Sequence, residues 1–237
     1  MFKRSLVAAI VTILAMFIRV ASADALLLAP GASAFPDAFT TSTSGPSAGI
    51  IASTSGNWAT TPAVTGNPSK ATGSFTSSVK TAQSGDTPNL TGCSTCLIFL
   101  YSITNNATSV DSIVRTVLQG FAGFIVDVGY SLLSPVGSVI PTSDDRSANG
   151  SVIGYNFSPP PLGLGVLGPG TTTVFLEIMT NATSAALAPA LRINNSESTP
   201  NLYVYVPTVA EPGTLLLLAS GLTGLGLLAH RRMRGAA

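Results

Sequence analysis

Apolar and polar positions alternate in short bursts through the middle of the chain, which is the period-2 signature of strands with one buried face. Residues 72–81, TGSFTSSVKT, set Phe75 and Val79 among polar neighbours. Residues 96–104, CLIFLYSIT, are almost continuously apolar and stop at Asn105 and Asn106. Residues 112–118 follow, and residues 123–130 carry Phe124, Val126 and Val128 on one face. Residues 151–157 come next, then residues 172–180 with Val174, Leu176 and Ile178 in alternation. LYVYV, residues 202–206, closes the set. Residues 158–170 read as a loop, because their run of prolines and repeated glycines suits neither a ladder nor a helix. Residues 25–71 are rich in Ser, Thr, Gly and Pro and read as loops with one or two edge strands. NATSAALAPALR holds at most one short helical turn, limited by Pro189. Seven short strands separated by turns predict an all-β body, an antiparallel β-sandwich.

The two ends have a different pattern. Lys3 and Arg4 precede an apolar run from Leu6 to Ile18 that only Thr12 breaks. Ala21 and Ala23 flank Ser22 as a small-x-small cleavage signal, so residues 1–23 read as a signal peptide cut before Asp24. An uncleaved anchor is the alternative, although the run is short for a span. At the other end, residues 214–229 are apolar and rich in Leu and Gly, and Arg231, Arg232 and Arg234 follow directly. Sixteen helical residues reach roughly 24 Å, slightly less than a hydrocarbon core. The arginines then stay cytoplasmic and the body, residues 24–208, lies across the membrane.

Charge supports this division. The formal net charge is +1, but the bases crowd the ends. Between Asp24 and Val209 there are five Lys and Arg against nine Asp and Glu, a balance of −4. A mildly acidic body lacks the clustered basic face that nucleic-acid binding needs.

Residues 209–237 resemble the PEP-CTERM sorting signal of Gram-negative bacteria, which is also catalogued as an ice-binding protein C-terminal domain. That family opens on Val-Pro-Glu-Pro followed by Ser or Thr, then a short span and an arginine cluster. Here Val209, Ala210, Glu211, Pro212, Gly213 and Thr214 open the segment. The Glu-Pro pair matches, Ala210 replaces the first proline, and Gly213 intervenes before Thr214. The resemblance implies handling by an exosortase after signal peptidase, a transient stay in the inner membrane, and a host that makes extracellular polysaccharide. The body also resembles those of uncharacterised exported proteins with this tail, which brings no activity with it. The local chemistry agrees: Pro212 suits the first turn of a helix, and Glu211 sits where the helix dipole favours a negative charge.

Little in the body points to catalysis. The only histidine is His230, in the tail, so Ser-His-Asp and Cys-His chemistry and most zinc sites are excluded from the body. Cys93 and Cys96 form a lone CxxC followed by a strand. A small structural disulfide is the preferred reading in an exported chain, with free thiols or a redox pair as alternatives. Asp144 and Asp145 read as part of a solvated turn in preference to a calcium site, since adjacent carboxylates point to different sides if extended. Asp111, Asp127 and Glu177 are isolated in or near strands, and two of them meeting as a glycosidase pair is a matter for the fold. No catalytic residue, cofactor or metal ligand is assigned.

The expectation is a non-enzymatic surface or matrix protein associated with exopolysaccharide or biofilm. The alternative is a carbohydrate-binding or carbohydrate-active sandwich, which needs exposed aromatics among Trp58, Tyr101, Tyr130, Tyr155, Tyr203 and Tyr205. Ice binding needs regular Thr rows on a flat face, and none is visible.

Overall fold

The structure, a computed structural model, describes residues 27–39, 49–62, 69–82, 95–131, 137–157 and 165–208. The signal-peptide residues, Cys93 and the whole tail, including Val209, Glu211, Pro212 and the three arginines, lie outside them. Among the described residues no helix is long and apolar enough to cross a membrane, and the span expected at residues 214–229 is not among them.

The described strands are β1 (Ser33–Ala34), β2 (Asp37–Phe39), β3 (Ile50–Ala59), β4 (Thr72–Thr81), β5 (Leu97–Asn105) and β6 (Arg115–Gln119), followed by β7 (Val126–Ser131), β8 (Ser143–Arg146), β9 (Val152–Asn156), β10 (Phe175–Thr180), β11 (Ser184–Asn194) and β12 (Leu202–Thr208). They form two six-stranded sheets. The first runs β1-β8-β9-β6-β11-β12 and the second β2-β7-β10-β5-β4-β3. The fold class is all-β, as the alternation predicts. One pairing corrects the wholly antiparallel expectation: β2 runs parallel to β7, with Asp37 opposite Gly129 and Phe39 opposite Ser131.

Both sheets contribute to one apolar core. From the second sheet come Phe75, Val79, Phe99, Tyr101, Ile103, Val128 and Ile178. From the first come Leu118, Ile153, Tyr155, Leu191, Ile193 and Val204. Facing residues within a sheet occupy one row, as Val79, Phe99, Ile178 and Val128 do across four strands. The other face of the second sheet is buried as well, where Ile98, Leu100 and Met179 make a smaller cluster with Ala82 and Phe175. This explains the continuous apolar run of β5, whose first seven residues are all buried.

Three expectations need correction. The NATSAALAPALR segment is not a helical turn, because it supplies the eleven-residue strand β11. Pro189 is accommodated at a register shift, and only Leu191–Asn194 of β11 pair with β6, so the missing N–H breaks no ladder bond on that side. Asp144 and Asp145 are not in a solvated turn, because they lie in β8. The Ser/Thr-rich segment before Ala71 contains three strands, and each of them is an edge strand of its sheet.

Candidate functional site

Strand β8 concentrates the unusual chemistry. Its alternation sends Asp144 and Arg146 inward and Asp145 outward, as the pairing of Asp144 with the core residue Tyr155 requires. Four polar residues in a row hide such a strand from any search for apolar periodicity.

Arg146 is buried, and its guanidinium is held entirely by backbone carbonyls among the bonds it makes. Its Nε donates to Gly150 at 3.0 Å, Nη1 to Leu28 at 3.0 Å, and Nη2 to Phe121 at 3.1 Å and Phe124 at 2.8 Å. Its backbone N–H also donates to the Ala32 carbonyl at 2.9 Å. One side chain therefore gathers the first described segment, the turn after β6 and the turn after β8. Burial lowers the pKa of this guanidinium, but arginine remains charged in any accessible range.

Asp144 is 1% exposed, and among the described residues no other residue donates a hydrogen bond to its carboxylate. Its pKa is raised to about 7. Burial is the main cause, the residue's own backbone N–H pulls the other way, and the charges of Asp37, Asp127 and Asp145 add to the rise. Asp127 is also buried and raised to about 7, mainly by burial, with a bond from the Val128 N–H opposing and Asp37 adding to the rise. Beside Asp144, Tyr155 is fully buried and donates from its hydroxyl to the Glu177 carbonyl at 2.9 Å.

Asp145 takes part in a separate network on the opposite face of the first sheet. Arg115 reaches it through both terminal nitrogens, each at 2.6 Å, and its Nη1 also donates to the Asn156 amide oxygen at 2.7 Å. Asn156 in turn donates to Asp145 at 2.9 Å and to the Ser143 hydroxyl at 3.1 Å. Gly154 lies under this fork, since a Cβ there would collide with the Arg115 guanidinium. The fork is geometrically specific but about one-third exposed on the Arg115 side, so it fixes strand order more than it adds stability.

A groove of about 410 Å³ lies beside the Arg146 clamp. Its walls include Leu28, Pro30, Phe124, Ile125 and Asn149, with Arg146 at its polar side. The clamp satisfies backbone carbonyls here, and among the described residues no second charged side chain lines the groove.

The remaining candidates separate. Asp144 and Asp145 diverge to opposite faces and cannot converge on one cation. Asp127 and Glu177 sit on the neighbouring strands β7 and β10, but both side chains are fully buried, as a glycosidase pair in contact with substrate could not be. Asp111 accepts a bond from the Ser196 hydroxyl at 2.9 Å at the surface, away from both. Among the described residues no group of three or more Asp, Glu, His or Cys side chains is arranged to hold a metal ion. Cys96 is disulfide-bonded, immediately before β5. Of the six aromatics, Trp58, Tyr101 and Tyr155 are buried in the core, while Tyr203 is 59% exposed.

Comparison with protein families, with curated proteins and with solved structures finds no match to this chain.

Proposed function

We propose that this chain is an exported surface or matrix protein whose C-terminal tail is a removable membrane address. The observation that carries the reading is the order Glu211-Pro212, apolar residues 214–229, then Arg231, Arg232 and Arg234. The apolar residues and the arginines hold the Glu-Pro pair at a fixed depth just outside the bilayer, where a membrane-embedded exosortase-type transpeptidase can grip it. The last strand supports this, because β12 ends at Thr208, before the motif. Cutting near Glu211 therefore leaves every described strand in place. The body has a non-enzymatic role in the envelope or the extracellular polymer.

The carbohydrate-binding alternative is not favoured, because three of the aromatics it would use are in the core. The test is Glu211→Ala combined with Pro212→Ala, expressed in the native host. Export and the signal-peptide cut should be unchanged, and the protein should accumulate uncut in the membrane fraction. Release as efficient as that of the parent chain would mean that the tail is an ordinary anchor.

A further inference from the structure

The four sheet edges are not alike. β1 and β2 are two and three residues long, too short to template another strand. The edge of β12 is closed by the opposite sheet: the Ser77 hydroxyl accepts from the Tyr205 N–H at 3.1 Å, and Tyr101 donates to the Tyr205 carbonyl at 2.6 Å. β3 is ten residues long, and among the described residues no strand pairs with its outer side. Its sequence, IIASTSGNWA, contains no charge and no proline, two of the devices that block edge pairing, and its register shift lies at its N-terminal end, between Ile50 and Ala52. Ile51 is 59% exposed and Ile50 is 41% exposed on it.

We infer that β3 is a self-association surface, pairing antiparallel with β3 of a second copy of this chain. A second copy fits this edge better than a charged partner strand, because ten uncharged residues offer no complementary charge to select one. The edge is also self-complementary. Facing residues in a sheet must share a face, and Ser53, Ser55, Asn57 and Ala59 all lie on the exposed face. A two-fold axis at Ser55 then sets Ser53 against Asn57, within the regular part of the strand from Ala52 to Ala59. This register joins the two second sheets into one. Edge pairing alone buries less than a standard interface of about 1,200–2,000 Å², so association is concentration-dependent. The inference does not rest on the sorting reading.

The test uses the full chain in detergent. Ser55→Cys places two thiols across the axis, where paired Cα atoms are about 5.5 Å apart, within disulfide reach. Phe35→Cys is the control, since Phe35 is 83% exposed and lies next to β2, at the opposite edge of the second sheet from β3. Oxidation should link Ser55→Cys into dimers and leave Phe35→Cys monomeric. Ser55→Lys should keep the parent melting temperature and weaken self-association in sedimentation at least tenfold. Equal cross-linking of the two cysteine variants overturns the inference. So does self-association that Ser55→Lys leaves unchanged, which would assign it to another surface such as the apolar tail.

Discussion

The hydroxyl of Tyr101, at the centre of the second sheet, donates to the backbone carbonyl of Tyr205 on the edge strand of the first at 2.6 Å. The Tyr101 ring is fully buried, and burial raises its pKa well above the ordinary value, so the hydroxyl stays a donor. The bond ties the two sheets at the corner where β12 would otherwise present an open edge. Tyr101→Phe keeps the ring and leaves the Tyr205 carbonyl without that donor. It should lower stability by about 1–2 kcal/mol, measured by denaturant unfolding.

Arg146 should be the least replaceable polar residue of the body. Arg146→Ala leaves four carbonyls without their donor and should cost at least about 3 kcal/mol, since hydrogen bonds to charged groups are the stronger class. Arg146→Lys should not restore stability. An ammonium has three donors and no planar fork, so it cannot serve four carbonyls on different segments. Thermal unfolding of the two variants should give similar losses.

The buried acids set a pH dependence with a definite sign. The pKa values of Asp127 and Asp144 rise from 3.8 to about 7 on folding, so the folded state favours their protonated forms. Their contribution to stability is fully present below the unfolded value of 3.8 and is lost as pH rises to about 7. Each unit of elevation corresponds to about 1.4 kcal/mol of that loss. The body should therefore melt at a higher temperature in mildly acidic than in mildly alkaline buffer. Asp144→Asn should reduce that difference and raise stability on the alkaline side.

The hydrophobic pattern was informative where a strand has a strongly apolar face. Residues 72–81 coincide with β4, and CLIFLYSIT falls on β5 with a shift of one residue. β8 was illegible because its inward residues are Asp144 and Arg146, which the sequence makes look solvated. Only the fold reveals that Arg146 is satisfied by carbonyls from two distant segments and from the turn that follows its own strand. β3 was obscured for another reason: its inward row of Ala52, Thr54, Gly56 and Trp58 is small and polar until its last member. β11 was obscured by Pro189 and its alanines, which resemble a broken helix until the bulge is seen. The buried pairing of Asp127 with its surroundings could not be read either, since strand order decides which isolated acids become neighbours. The opposite divergence of Asp144 and Asp145 was legible, because it follows from strand geometry alone.

The central claim, an exported body with both ends removed, is tested most directly by the intact mass of the protein released from its native host. The account predicts a species that begins at Asp24 and ends near Glu211, lacking Arg231, Arg232 and Arg234. A released species that retains Met1, or that still carries the three arginines, would contradict it.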